Sequence, residues 1–581
     1  MNLPNLSIHS IHQAYREGEY TVRSLVEELY CKADNCGNPG IWIRRLSLEE
    51  LDFYLRKLES KSMEDLPLYG IPFVIKDNID LENIATTAAC PDFSYMPEGS
   101  ATVVELFIQA GAIPMGKTNL DQFATGLVGV RTPYGVPLNP LAPDRIPGGS
   151  SAGSAVALSQ GLATFSLGTD TAGSGRVPAA FNQIIGVKPS RGRLSNKGVV
   201  PACRSLDCVS IFALDFSDAK KVLSIAEGYD PKEPYSIKSF PISQKNCKKL
   251  AIPRKDQLLF FGDAEFQDAW FKTVKELMAK GWFCSEVDFT PFIECTKLLY
   301  EGPWIAERCS ALQHFLKEKS GCVFPTTRKI LETGFDKTAV DTFDAMYRLT
   351  TLRRQIEPIL EKHQALVVPT VGGFPTLQEI DEEPIKINSD LGYYTNFVNL
   401  FDLCALATPA GKSSKNLPFG ITWITARGYD YDLIRIAQDG STKQGEPYDR
   451  ISLVLFGAHL SGLPLNYQVK NLDGQFVAEV ETSPDYRMLL LKNNPPIRPG
   501  VYRSKSGGVS IRGEEWSFPT DKVGSFLKTI QKPLGLGQVQ LDDGRCLHGF
   551  LCEAVEEAFS EEITKYRGWK NFLKLNLEST A

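Results

Sequence analysis

Histidine is scarce in this chain, and its distribution excludes one kind of chemistry at once. The six histidines stand at 9, 12, 314, 363, 459 and 548, leaving residues 13 to 313 with none. A Ser-His-Asp triad confined to that stretch is excluded; a histidine base would have to come from a distant segment. The thirteen cysteines are odd in number, scattered and never spaced CxxC, which suggests neither a zinc site nor a disulfide framework and fits a reducing cytoplasm. A basic excess is also missing: the net charge is −6, so nucleic acid is not an expected partner. No apolar run reaches the roughly 18 residues of a membrane span. The opening MNLPNLSIHSIHQAYREGEY lacks a basic region followed by an apolar one. Neither a membrane segment nor a signal peptide is expected. What remains, at 43% apolar and 23% charged residues, is an ordinary globular composition.

The length calls for more than one domain. Thr21 is placed to cap a helix carrying Val22, Leu25, Val26 and Leu29 at helical spacing, and Ser47 with Glu50 forms a capping box before Leu51, Tyr54, Leu55 and Leu58. The apolar run IPFVIKD, 71–77, reads as a strand ending abruptly in charge. A third helix is expected from Ser100, with Leu106, Phe107 and Ala110 on its inner face. These alternations predict an α/β catalytic domain over 1–440. The polar stretch QDGSTKQGEPYDR at 438–450 reads as a linker, set at 441–450, and the short apolar runs after it predict a smaller, strand-rich α+β domain over 451–581.

GAIPMGKT, 111–118, fits the phosphate-cradling pattern GxxxxGK[ST]. In a P-loop the first glycine follows a strand. Here Gly111 follows the helix from Ser100, so it is expected to cap that helix, with Ala112 to Met115 as a short strand and a further helix after it. Amides in a strand cannot curl round a phosphate, and a nucleotide is not expected.

The densest chemical signal is PGGSSAGSAVALSQGLATFSLGTDTAGSGRVPAA, 147–180. Two small-residue loops flank a helix-like and a strand-like segment. About ten helical residues carry the chain some 15 Å out and about five strand residues bring it back some 16 Å, so the loops can meet, with Ser150 or Ser151 beside Ser174. A flexible Gly/Ser linker would not contain an apolar helix and strand. With no histidine near, Lys76 at the end of its strand is the candidate base, because burial depresses a lysine pKa towards neutrality. Ser150 can pass a proton between Ser174 and Lys76, since a hydroxyl both donates and accepts. The backbone N–H groups from Thr171 to Ser174 would face an oxyanion.

GIPFVIKDN, GAIPMGKTN, GGSSAGSAVA and GTDTAGSGRVPAAFNQIIGVKPSRG, in that order and spacing, resemble the amidase signature family over about 440 residues. The resemblance implies a mixed central sheet covered by helices, Ser174 as nucleophile, Ser150 as a bridging serine preceded by a cis peptide from Gly149, Lys76 as base, and an oxyanion hole at Thr171, Ala172 and Gly173. Ala172 replaces the family's usual glycine in TDTGGS and keeps the amide. FATGLVGVRTPYG (123–135), SLDCVSIFA (205–213), YEGPWIAER (300–308) and GAHLSGLPLNYQ (457–468) are further similar to the allophanate hydrolase branch of that family, over nearly the whole chain. That implies substrate contacts from Gly126, Tyr300 and Arg308, and a C-terminal domain resembling the γ-glutamyl cyclotransferase fold that takes part in dimer formation. It also implies His459 in decarboxylation of the first product, no metal or organic cofactor, and a functional link to a separate urea carboxylase. The rival readings are another amidase-signature amidohydrolase on a urea-like or small amide, the amidotransferase subunit that feeds ammonia to misacylated tRNA, a P-loop phosphotransferase, and a binding protein without activity.

Overall fold

The computed structural model describes residues 3, 5–240, 247–441, 450–472, 474–491, 498–552 and 560–577. The chain forms two compact units, Met1–Thr442 and Lys443–Ala581.

The first unit is built on one mixed sheet. Its strands are β1 Trp42–Arg45, β2 Pro72–Lys76, β3 Ile113–Thr118, β4 Phe165–Asp170, β5 Ile185–Lys188, β6 Cys208–Ala213, β7 Lys249–Pro253, β8 Phe283–Val287, β9 Ala365–Pro369, β10 Cys404–Lys412 and β11 Pro418–Thr425. They lie in the order β1-β3-β2-β4-β6-β5-β10-β11-β9-β7-β8. β2 runs parallel to both β3 and β4, whereas β4, β6, β5, β10, β11 and β9 pair antiparallel in sequence. β2 and β4 are buried at every position, as parallel strands covered on both faces are. Register pairs Phe73 with Phe165, Val74 with Ser166 and Ile75 with Leu167, and the rings of Phe73 and Phe165 stack at 5.1 Å. That register brings Lys76 and Thr169 together at the carboxyl ends of the two strands.

The expected helix caps form at Thr21, which makes a capping box with Ser24, and at Ser47 with Glu50. Leu25, Val26, Leu29, Leu51, Leu55 and Leu58 are buried beneath them. Three local expectations are corrected. The helix expected from Ser100 spans Thr102–Gln109 with Ala101 at its N-cap, because the Ser100 hydroxyl instead accepts the Glu82 amide at 3.0 Å. In GAIPMGKT, Gly111 has φ +97° beyond the helix end, but the strand runs on through Lys117 and Thr118, and a 3-10 turn at Gln122–Ala124 stands where a helix was expected. Pairing on both sides, with β1 and β2, holds that segment extended. Gln438–Gly440, read as the start of the linker, close the helix Asp430–Gly440, which buries Leu433, Ile434, Ile436 and Ala437. Residues 442–449 of that linker lie outside the described residues.

The second unit holds two sheets, β13-β16-β12-β18-β17 and β15-β14-β19. Their strands are β12 Arg450–Leu455, β13 Gln475–Glu481, β14 Tyr486–Leu491, β15 Arg498–Arg503, β16 Arg512–Pro519, β17 Leu534–Gln540, β18 Cys546–Cys552 and β19 Ser560–Glu562. Helices Asn466–Asn471, Thr520–Leu527 and Trp569–Leu577 complete an α+β unit with its own core around Leu453, Trp516, Phe518 and Phe526.

Candidate active site

Lys76 is the last residue of β2 and is wholly buried. Its amine donates to Ser150 Oγ at 2.8 Å and to Thr169 Oγ1 at 2.8 Å. Taking an ammonium out of water disfavours its charge, and that burial lowers the Lys76 pKa to about 7 despite the fields of Asp121, Asp170 and Asp207. An amine of that pKa is part neutral near pH 7, and a neutral amine at hydrogen-bond distance is able to take a proton from a hydroxyl.

Ser150 follows a cis peptide from Gly149 and precedes the helix Ala152–Ser159. Its carbonyl accepts the amide of Asp121 at 3.0 Å. The Asp121 carboxylate in turn gathers the amides of Val128 (3.2 Å), Gly129 (2.9 Å) and Arg131 (3.0 Å), drawing the 126–131 loop over the serine. There is no room for a side chain at Gly126 or Gly149: a Cβ would sit 2.6 Å and 2.1 Å from Asp121 Oδ2, respectively.

Ser174 lies in the turn between β4 and the helix Val177–Phe181. Its hydroxyl donates to the Gly126 carbonyl at 3.4 Å. The turn is braced from below by a fully buried ion pair, Asp170 with Arg176 at 2.9 Å. Burial opposes the charge of Asp170, yet Arg176 outweighs it and holds the carboxyl below the usual range. Gly175 donates its amide to Asp170 at 3.0 Å, and Arg176 also reaches the Thr395 carbonyl and Asn399 Oδ1, at 3.0 Å each. The residues from Thr171 to Ser174 are all buried, and among the described residues their own amides find no acceptor. Unpaired buried amides are costly, and a row of them in a turn is a ready anion cradle. The Thr171 side chain is held by Asp207, whose carboxyl burial pushes up to about 6 against the hydrogen bonds of Thr171 and Cys203 and the field of Arg308.

Arg308 belongs to the helix Trp304–Lys319 and, at 1% exposure, is not the solvated arginine that a helix surface usually carries. Nη1 donates to Thr125 Oγ1 at 3.3 Å, next to Gly126, while Nε and Nη2 are buried without a partner. The half-buried Tyr300 places its ring 5.6 Å from the guanidinium carbon. Two unpaired N–H groups on one planar fork match a carboxylate. Lys76, Ser150, Ser174, Gly126, Thr171–Gly173, Tyr300 and Arg308 are thus brought to one place. The hydroxyls of Ser150 and Ser174 are not hydrogen-bonded to each other here.

His459 belongs to the second unit. Its Nε2 lies 3.0 Å from Gln468 Oε1 and its ring packs edge-on to Phe526 at 5.0 Å. Burial lowers its pKa, against the pull of Gln468. It lines a cavity of about 230 Å³ with Phe456, Gln468, Arg498, Thr529 and Phe550.

Lys117, the lysine of the P-loop pattern, is wholly buried in β3 and paired with Asp77 at 2.9 Å and Thr86 at 3.0 Å. No group of histidine, cysteine, aspartate or glutamate able to hold a metal occurs among the described residues. No described helix is long and apolar enough to cross a membrane. Sequence reasoning passed over Asp121, Thr169, Asp207 and Glu307. Thr169, Asp207 and Glu307 stood in quoted motifs, GTDTAGSGR, SLDCVSIFA and YEGPWIAER, and Asp121 stood outside them, but nothing in those patterns announced which partner each would meet.

The profile of the Amidase family matches residues 35–434, and that of the allophanate hydrolase C-terminal domain matches 451–574. The urea amidolyase of Saccharomyces cerevisiae is 40% identical across 95% of this chain and 32% of its own length. The urea amidolyase of Lachancea kluyveri is 38% identical across 96% of this chain and 32% of its own. The chain therefore spans about a third of the length of these relatives. The solved structure of Kluyveromyces lactis allophanate hydrolase superposes with a TM-score of 0.72 at 37% identity, covering 99% of this chain and all of that one.

Proposed function

We propose that this chain, which belongs to the amidase family, is an allophanate hydrolase in which Ser174 is the nucleophile. Allophanate is urea carrying a carboxylate, H2N–CO–NH–COO−. The observation that carries the reading is the pairing of a buried Lys76 on Ser150 with a buried Arg308 whose Nε and Nη2 have no partner. One end is suited to activate a hydroxyl and the other to hold a carboxylate. The likeness to the Kluyveromyces lactis enzyme, along almost the whole of both chains, supports the same substrate.

In the proposed mechanism the substrate carboxylate lies on Arg308 beside Tyr300 and Gly126. The Ser174 hydroxyl leaves the Gly126 carbonyl, attacks the terminal amide carbon, and passes its proton through Ser150 to neutral Lys76. The developing oxyanion is met by the amides of Thr171, Ala172 and Gly173, which have no acceptor to give up. Return of the proton to the leaving nitrogen expels ammonia, and water releases N-carboxycarbamate from the acyl-enzyme. Loss of carbon dioxide and the second ammonia completes the reaction. We assign the C-terminal domain, residues 451–581, to that later step with His459 as its acid or base, and to dimer formation. The substrate is a carboxylated urea, so a urea carboxylase is the enzyme expected to supply it, in the cytoplasm. No step calls for a metal or an organic cofactor.

Steady-state release of ammonia and carbon dioxide from allophanate tests the reading. Two ammonia per allophanate are expected, and a protein that releases none refutes the substrate. An unchanged time course of carbon dioxide in His459→Ala would remove the histidine from the mechanism while leaving Ser174 in place.

A further inference from the structure

One buried carboxylate at the site has no part in the reaction just described. Asp207, 4% exposed, immediately precedes β6. It accepts the Thr171 hydroxyl and the amides of Ala202 at 2.9 Å and Cys203 at 3.1 Å. One side chain thus ties the first residue of the anion-cradling turn to the loop 202–207. The same loop is gripped from the other side by Glu307. That carboxylate accepts the Ser205 amide at 2.7 Å, the Ser205 hydroxyl at 2.6 Å and the Cys203 thiol at 2.9 Å. Glu307 stands next to Arg308 on the helix Trp304–Lys319, about 100° round its axis. Glu307 faces the loop, whereas the guanidinium of Arg308 reaches Thr125. Two carboxylates and one six-residue loop therefore join the turn that carries Ser174 to the helix that carries Arg308.

We propose that Asp207 and Glu307 are positioning residues. Through the 202–207 loop they set the spacing between the amides at 171–173 and the Arg308 guanidinium, and so select substrates in which one atom separates the carboxylate from the scissile carbonyl. The inference rests on the assignment of Ser174 and Arg308 above and adds to it a measure of substrate length. The side-chain contacts that make the link are hydrogen bonds, and neither Asp207 nor Glu307 is placed against the substrate. A longer acid amide, seated on Arg308, puts its carbonyl past the unpaired amides. A displaced turn loses the oxyanion contact, which exists only as charge develops, so the cost falls on kcat rather than KM.

The test uses malonamate, H2N–CO–CH2–COO−, beside succinamate, one methylene longer. The wild type is expected to favour malonamate in kcat/KM by about a hundredfold or more, and Glu307→Gln to narrow that preference by about tenfold. Thr171→Val, which keeps the shape and loses the hydroxyl, is expected to lower kcat for malonamate by about ten- to a hundredfold with KM within roughly threefold. Thr171→Ser should restore kcat. Asp207→Leu, which offers no acceptor to the Thr171 hydroxyl or to the Ala202 and Cys203 amides, should lower kcat at least as far as Thr171→Val, with the double variant no worse than the poorer single. An unaltered length preference in Glu307→Gln, or Thr171→Val and Thr171→Ser alike at the wild-type kcat, overturns the proposal. Phosphonylation of Ser174 by a fluorophosphonate separates this failure from failure of the substrate reading. If the wild type is labelled but hydrolyses neither acid amide nor allophanate, the substrate is wrong. The proposal then stands or falls on labelling being about tenfold slower in Thr171→Val and restored in Thr171→Ser. A wild type that is not labelled overturns both.

Discussion

The amine of Lys76 and the hydroxyl of Ser150 lie 2.8 Å apart with no exposed surface on either residue. Burial without a carboxylate partner is what brings this lysine to about 7, because desolvation is the largest influence on it and the nearby aspartates act only through their fields. The consequence for activity follows from protonation: only the neutral amine accepts a proton from Ser150.

The rate should therefore rise with pH through about 7. In a profile from pH 6 to 9, log(kcat/KM) is expected to climb with unit slope below the Lys76 value and level off above it. Lys76→Arg, whose guanidinium keeps its proton, should lose activity by about a thousandfold or more. A flat profile, or an active arginine variant, speaks against Lys76 as the base.

The same lysine gives stability a pH dependence of predictable sign. Its folded pKa lies below its ordinary value of 10.5, so between about 7 and 10.5 the unfolded chain binds the extra proton. Over that window this group makes the fold more stable as pH rises, by at most about 1.4 kcal/mol per pH unit. Lys76→Met removes the dependence. The wild-type Tm minus that of Lys76→Met is expected to grow from pH 7 to pH 9, and parallel curves would contradict the shift.

The strand that ends in Lys76, the helix caps at Thr21 and Ser47, and the meeting of Lys76 with the serine loops were legible in the sequence because they follow from local signals: capping boxes, an apolar run ending in a lysine, small residues flanking a helix and a strand. The braces were not. Asp121 closes a loop seven to ten residues ahead, Asp207 meets Thr171 across 36 positions, and Glu307 grips Ser205 across 102. No periodicity marks such pairs, because β4 and β6 come together only through the sheet. The helix expected to begin after Met115 failed for a related reason: pairing of Gly116 to Thr118 with β1 and β2 outweighed local pattern.

Arg308 supplies the prediction on substrate binding. Its two unpaired nitrogens offer a planar fork that an ammonium cannot copy. Arg308→Lys is expected to raise KM for allophanate by about tenfold to a hundredfold with a smaller change in kcat, read from initial rates. An unchanged KM would remove the carboxylate clamp from the account.

Lys117 supplies a prediction on the fold alone. It and Asp77 form a wholly buried pair, and Lys117→Ala leaves Asp77 charged and short of its partner. The expected loss is about 3–5 kcal/mol, measured as a lowered urea midpoint. Titration calorimetry of the wild type with ATP should show no binding heat, since the segment is a strand. Binding of ATP that Lys117→Ala abolishes without unfolding would restore the phosphate reading.

The central claim is that Ser174, served by Ser150 and Lys76, opens the amide. Ammonia release from allophanate by wild type and by Ser174→Ala tests it most directly. The account predicts release by the wild type and a loss of at least about a thousandfold in the folded alanine variant. A Ser174→Ala protein that releases ammonia at the wild-type rate would contradict it.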